Sequence, residues 1–360
     1  MTTNRYRYAI IGTGRPHGSE DATGFGMAHP HYKGFKASDR TDLVAIADID
    51  EDHARAFLAD YNLEPDKDAK IYLDYKEMLR AEKPDIVSVT TWPHLHAEMV
   101  VAACEAGVRA VHCEKPMATT WADAKRMKAA ADASGTILTF NHQRRFLEPF
   151  QKAVQIIRGD ELGELQRIEA QCGDMYDWGT HWLDMMQFLN NETPIEWVIG
   201  QIDSRQDNVV FGAPMENQAI CHYKWTNGVR GLMVAGYEAK WDCAIRVTGT
   251  KGTLEVLWNQ PCLRIRTDTD TGWRVVETKE GLHNDVAINR ACADLVRALD
   301  EPGHTPLLTA ASAIKHTEAI FATYYSSLYR GRVDLPLTYE GNALHDMLAS
   351  GDIGPQRKAE

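Results

Sequence analysis

The chain has 360 residues, more than one ordinary hydrophobic core holds, so two domains are expected. Its 44% hydrophobic and 25% charged residues are the composition of a soluble globular protein rather than a disordered one. A net charge of -12 excludes nucleic acid and an anionic membrane surface as the main partners, but it leaves room for a small anion held locally.

No apolar run is long enough to span a bilayer, and Met1 to Tyr8 carries no apolar signal-peptide segment. The seven cysteines are dispersed, with no Cys-x-x-Cys pair, which predicts reduced thiols and a cytoplasmic location.

Tyr6 to Ile11 reads as a strand running into Gly12-Thr13-Gly14. A strand followed by Gly-x-Gly begins a dinucleotide-binding turn, where the backbone approaches a pyrophosphate and a following helix offers free N–H groups. The third glycine is displaced: Arg15 to Phe25 reads as an insertion in the phosphate loop, the helix restarts near Met27, and Gly24 or Gly26 takes the third place. A Gly-rich surface loop is the competing reading. The second strand, Leu43 to Ala47, ends at Asp48-Ile49-Asp50. A carboxylate there accepts both adenosine-ribose hydroxyls and repels a 2′-phosphate, which favours NAD over NADP; the plainer role is capping of the helix from Glu51 to Tyr61.

A brief strand near Lys70 to Tyr72 and a helix from Asp74 to Ala81 follow. Asp85 to Val89 is a β-branched run typical of a buried parallel strand, and it ends in Thr90-Thr91-Trp92-Pro93-His94-Leu95-His96. A helix from Ala97 to Ala106, a strand from Val108 to Cys113, a helix from Thr119 to Ser134 and a strand from Thr136 to Phe140 complete the pattern. Strands alternating with helices over residues 1–141 predict a doubly wound parallel sheet of the Rossmann type. After the fifth strand come Glu114, Lys115 and Pro116. Proline biases the residue before it away from helix, so Lys115 is expected extended at the carboxyl lip of a strand, where open α/β sheets bind ligands; a strand-end lysine in solvent is the alternative. The pairs His29/His31 and His94/His96 lack further ligands at zinc spacing, so no metal site is expected; His96 is placed near a nicotinamide.

Residues 142–360 form the expected second domain, for substrate binding and oligomerisation. From Ile195 to Val276 strands succeed one another without helices, and Asn227-Gly228 is the strongest hairpin signal. Helices from Asn284 to Leu299 and from Thr309 to Tyr329 follow, so an α+β domain with a largely antiparallel, open-faced sheet is expected. Ahead of the sheet, Asp177 and His181 are four apart and share one face if the segment is helical. A carboxylate beside an imidazole suits general acid–base chemistry near neutral pH. The competing reading makes Asp177 an N-cap and His181 a satisfied core residue. Tyr176, Trp178 and Trp182 are either core or flat apolar faces for a sugar ring.

These features together resemble the Gfo/Idh/MocA family, the glucose–fructose oxidoreductase and inositol dehydrogenase group, from Tyr6 to roughly Leu337. The matching pieces are Gly12-Thr13-Gly14, Asp48, His96, Glu114-Lys115-Pro116, the run from Asp177 through Gly179 and His181 to Asp184, and Gly249 to Thr253. The resemblance implies an NAD(P)-dependent dehydrogenase of a sugar, cyclitol or related polyol, with the substrate between the domains. It further implies a homodimer or homotetramer formed through the open sheet. Lys115 would hold and polarise the reacting hydroxyl, His181 would take its proton and Asp177 would assist. Gly12, Thr13, Gly14, Gly26, Asp48, Ile49, Thr91, His96, Glu114 and Lys115 would line the cofactor; Trp92, His94, Arg144, Tyr176 and Trp178 would contact the substrate. The insertion and Trp92-Pro93-His94, in place of a Pro-Asn-type turn, depart from the family pattern. A non-catalytic NAD- and sugar-sensing protein and a redox-neutral sugar elimination or glycosidic cleavage are the alternative functions.

Overall fold

The computed structural model describes residues 5–15, 26–240 and 242–355. The chain divides into two compact units: Met1–Thr119 with Asp123–Gln143 and Asp285–Ala313, and Thr120–Ala122 with Arg144–Asn284 and Ile314–Glu360.

The first unit is built on β1 (Tyr6–Ile11), α1 (Ala28–Ala37), β2 (Thr41–Ala47), α2 (Glu51–Asp60), β3 (Lys70–Tyr72), α3 (Tyr75–Glu82), β4 (Ile86–Val89), α4 (Pro93–Glu105), β5 (Ala110–Cys113), α5 (Trp121–Ser134) and β6 (Ile137–Phe140). The six strands form one sheet in the order β3-β2-β1-β4-β5-β6, every pairing parallel. The order reverses beside β1, and the loops after β1, β4 and β5 therefore share one carboxyl edge, the place where such sheets bind ligands. β4 and β5 are buried at every residue, because helices cover both faces of the sheet.

The remaining elements are α6 (Glu148–Arg158), β7 (Leu165–Cys172), α7 (Gly179–Leu189), β8 (Ile195–Asp203), β9 (Val209–Val210), β10 (Ala213–Pro214), β11 (Gln218–Trp225), β12 (Arg230–Gly236), β13 (Cys243–Gly249), β14 (Gly252–Leu257), β15 (Leu263–Thr267), β16 (Arg274–Val275), α8 (Val286–Asp300), α9 (Ala310–Tyr329), β17 (Val333–Asp334) and α10 (Ala343–Ser350). In the second unit nine strands run β16-β15-β14-β13-β7-β12-β11-β8-β17, antiparallel except where β7 lies parallel to β12. Asn227 and Gly228 join β11 to β12 as the hairpin expected.

Two features depart from the order of the chain. β7, the middle strand, is missing from the strands expected, since its inward residues are Ile168, Ala170 and Cys172 rather than a β-branched run. α8 follows the second sheet in sequence but packs in the first unit. Its stripe of Ile288, Cys292, Leu295 and Val296 joins Tyr8, Tyr32 and Phe35 in one core. Gly34 of α1 permits this contact, because a Cβ there would stand 2.7 Å from Cys292 Sγ. A division at residue 141 follows the chain; the packing returns residues 285–313 to the first unit.

All seven cysteines are free and buried. Among the described residues no helix is long and apolar enough to cross a membrane.

Candidate active-site residues in the two units

The turn after β1 is shaped by backbone geometry. Gly12 has φ +89°, and a Cβ on it would meet Thr91 Cγ2 at 2.5 Å, so only glycine lets the β1 and β4 loops approach. Gly14, at φ +74°, has open space where a Cβ would be, and Gly26, at φ +58°, lies just before α1. Most of the expected insertion, residues 16–25, with Gly18 and Gly24, falls outside the described residues.

Asp48 and Asp50 make different contacts. Asp50 caps α2, its side chain accepting from Asp52 N at 2.9 Å. Asp48 Oδ2 accepts from Thr13 N and Thr13 Oγ1, both at 2.8 Å, and from Gly14 N at 3.2 Å. The carboxylate is thereby fixed against the glycine turn at the tip of β2. Beside it Ile49 is 93% exposed, an apolar side chain with no intramolecular cover and free to flank a base. A fixed carboxylate, open space over Gly14 and the exposed Ile49 fit a dinucleotide.

At the same edge Lys115 follows β5, with a cis peptide bond to Pro116. Glu114, only 5% exposed, anchors this turn: Oε1 accepts from Asn141 Nδ2 at 2.7 Å and lies 2.8 Å from His31 Nε2, and Oε2 accepts from Lys115 N at 3.2 Å. The chain continues inward from His31 Nδ1 to Ser88 Oγ at 3.0 Å and on to Tyr8 OH at 2.8 Å. Burial alone would raise the Glu114 pKa, but the hydrogen bond and charge of His31, with Lys115 and Asn141, outweigh it and hold the group at about 2. Burial, with the charge of His31, lowers His112 to about 3.

His96 is fully buried in α4, with Nδ1 3.0 Å from Pro116 O and Nε2 3.0 Å from Thr91 O. It braces the β4 loop against the β5 loop. A neutral imidazole can donate only one of those bonds. Burial nevertheless lowers its pKa against the pull of both carbonyls and of Glu114. Thr91 Oγ1 lies 3.2 Å from Met99 Sδ. Trp92 is 42% exposed, and its ring stands 6.0 Å from that of the exposed His94. His29, by contrast, reaches Tyr61 OH at 2.8 Å, so the His29/His31 pair serves two different networks.

In the second unit α7 begins at Gly179, so Asp177 and His181 do not share a helical face as the spacing suggested. Asp177 stands in the turn before the helix. Asp174 holds that turn, its Oδ1 accepting from Asp177 N at 2.6 Å and Trp178 N at 2.9 Å. Glu216 holds the same turn from beneath: Oε1 accepts from Met175 N at 2.5 Å, and Oε2 from Tyr324 OH at 2.6 Å. Neither Asp174 nor Glu216 is visible as a site residue in the sequence, since nothing in their spacing ties them together. Burial, then the charges of Glu216 and Asp177, raises Asp174 to about 7 despite its two amide donors. Burial also raises Glu216.

Asp177, His181 and Tyr176 are buried, and burial with the charge of Asp177 pushes the Tyr176 phenol up. Trp178 is 37% exposed and Trp182 fully buried. Asp184 accepts from Arg145 Nε at 2.9 Å and from its Nη2 at 2.6 Å, so it acts as a structural counter-ion in the core. Arg144 is buried under Trp178, with one hydrogen bond, from Nη2 to His283 Nδ1 at 3.1 Å.

Residues 6–142 match the model of an oxidoreductase family with an NAD-binding Rossmann fold, and residues 172–255 match the GFO/IDH/MocA C-terminal domain. The chain is 26% identical over 276 residues to D-apiose dehydrogenase of Paraburkholderia graminis, covering 71% of this chain and 68% of that one. It is 25% identical over 269 residues to myo-inositol 2-dehydrogenase of Thermotoga maritima, covering 69% and 74%. It is 31% identical over 183 residues to D-glucoside 3-dehydrogenase of Escherichia coli, covering 50% and 47%. Among solved structures, levoglucosan dehydrogenase in complex with NADH and levoglucosan has a TM-score of 0.78 at 18% identity, covering 93% of this chain and all 100% of that one. An NAD-binding oxidoreductase from Klebsiella pneumoniae has a TM-score of 0.77 at 20% identity, covering 92% and 100%. At such identities the structural likeness shows the fold alone. Two consecutive family models, an NAD-binding N-terminal one and a C-terminal one, together span most of the chain: the chain belongs to the GFO/IDH/MocA family of oxidoreductases, with NAD as its cofactor.

Proposed function

We propose that the protein is an NAD-dependent dehydrogenase that oxidises a hydroxyl of a sugar, cyclitol or related polyol. The observation that carries this reading is the setting of Lys115. It stands at the same carboxyl edge of the parallel sheet as the Gly12 turn and Asp48, on a turn tied down by Glu114, His31 and Asn141. Sugar and cyclitol substrates in the names of the relatives support the substrate class.

In this reading the Lys115 ammonium holds the substrate oxygen and stabilises negative charge as it develops there. His181 takes the hydroxyl proton, and Asp177 assists it. Bound NAD supplies the hydride acceptor; the protein supplies position and electrostatics. Trp92, His94, Arg144, Tyr176 and Trp178 are the proposed substrate contacts. Ile199 on β8 and Ile220 on β11, 45% and 43% exposed, support a homodimer or homotetramer formed through the open sheet face.

NADH formation is to be measured across monosaccharides, cyclitols and anhydrosugars, with NAD and NADP in parallel. Lys115→Ala is expected to lower kcat by about 10²- to 10⁴-fold. Near-normal turnover of that variant defeats the assignment of Lys115, and a strong preference for NADP defeats the role given to Asp48.

A further inference from the structure

Arg144 and Arg145 are neighbours in one short turn, and both are buried, at 4% and 2% exposed. Arg145 has its charge matched: Asp184 takes Nε and Nη2, and Glu192 lies 2.6 Å from Nη1. Arg144 has no such match. Among the described residues no carboxylate lies within ion-pair distance of it, and its Nε and Nη1 are buried without a hydrogen-bond partner. Its Cζ lies 5.7 Å from the Trp178 ring and 5.2 Å from the Trp182 ring, close enough for cation–π attraction to hold the group but not to satisfy its donors. Burial lowers its pKa to about 10, so the charge persists at neutral pH.

The outer boundary of this site is made of side chains. His283 is exposed, and Trp178 is 37% exposed, with their rings 5.7 Å apart. Partial desolvation of the ring, with the charge of Arg144, lowers the pKa of His283, so its neutral ring offers Nδ1 as the acceptor for Nη2. That lone pair occupies a position that a ligand oxygen can take when the imidazole swings aside. A buried charge left without a counter-ion is costly, and guanidinium presents paired donors that match a carboxylate.

We propose that Arg144 anchors a carboxylate of the substrate, so that the polyol oxidised is a sugar acid rather than a neutral sugar. This inference rests on the dehydrogenase reading above. A carboxylate suits the site better than a phosphate on grounds of charge. Among the described residues Arg144 is the one guanidinium of the two without an ion pair, and the carboxylates of Asp177 and Asp184 already act on it through space. A monoanion balances the single guanidinium, whereas a dianion adds repulsion from both acids.

The test compares kcat/KM with NAD for D-glucuronate, D-galacturonate and D-gluconate against D-glucose, D-galactose and D-glucitol, with D-glucose 6-phosphate as the phosphate arm. Wild type, Arg144→Lys and Arg144→Met are measured, and each variant's unliganded Tm is checked for folding. Thermal shift by D-glucuronate in the presence of NADH is the second readout. The acids are expected to be favoured by at least about tenfold, and Arg144→Met is expected to erase that ratio, mainly through KM. Arg144→Lys, which keeps the charge and loses the paired donors, is expected to fall between and serves alone if Arg144→Met does not fold. Equal or better turnover of neutral sugars, with the ratio unchanged in the variants, overturns the carboxylate site and leaves the dehydrogenase standing. Preference for the 6-phosphate overturns it in favour of a phosphate. If nothing is oxidised but D-glucuronate still shifts the Tm of wild type and not of the variants, the anion site stands and the dehydrogenase reading fails. Neither turnover nor a shift overturns both.

Discussion

Behind each proposed catalytic turn lies a buried acid, and the two acids are held in opposite ways. Glu114, beneath Lys115, faces His31 and Asn141 and stays ionised, with its pKa held at about 2. Asp174, beneath Asp177, faces a second buried acid, Glu216, and rises to about 7. Both carboxyls are buried and both accept backbone N–H bonds, so burial and amide donors do not separate them. The sign of the neighbouring charge does. The first turn is therefore anchored by a carboxylate that stays ionised across the physiological range. The second is anchored by a pair of acids that changes its protonation near neutrality.

The largest effect that would break this comparison lies at Glu114. Glu114→Gln removes the charge that faces His31 and is expected to cost about 3–5 kcal/mol of stability at pH 7, read by urea denaturation. Because its folded pKa lies below the unfolded value of about 4.5, the contribution is complete above that value and vanishes as pH falls toward about 2. The two proteins should then converge in stability at the acid end. Equal stability at pH 7 would show that no matched pair exists.

A smaller effect of opposite sign is expected at Asp174. A carboxyl whose folded pKa is raised binds its proton more tightly when folded, so stability is lost as pH rises from 3.8 to about 7. Asp174→Asn keeps the oxygen that caps Asp177 and Trp178 and removes the titration. It should flatten that part of the pH–stability curve and be the more stable form above pH 7, on the order of 2 kcal/mol. An unchanged slope sinks the account of this pair.

The smallest change sharpens rather than breaks the contrast. Glu216→Gln keeps an acceptor for Met175 N and removes the like charge. The Asp174 midpoint should move down by about one pH unit, which carboxyl NMR titration can follow. No movement would mean that burial alone raises Asp174.

Much of the first unit was legible along the chain. Strands with β-branched runs, separated by helices and closed by glycine, announce a parallel sheet, and Gly12-Thr13-Gly14, Asp48 and Lys115 fall at its carboxyl edge because each directly follows a strand. Local signals suffice there, since each element is defined by its own residues and ordered by short connections. The second unit was less legible. Four-residue spacing placed Asp177 and His181 on one helix, but the helix begins only at Gly179, and Asp177 lies in the preceding turn, whose amides Asp174 holds.

The sequence alone thus determined the layer pattern, the glycine turn, the acid that follows β2 and the lysine turn that follows β5. Tertiary structure decided which core receives α8, why the neighbouring arginines 144 and 145 differ, and which buried acid meets a cation and which meets another acid. Periodicity and turn chemistry act over a few residues and can be read in order. Charge balance and burial are set by residues far apart in the chain, and only the folded packing says which of them meet.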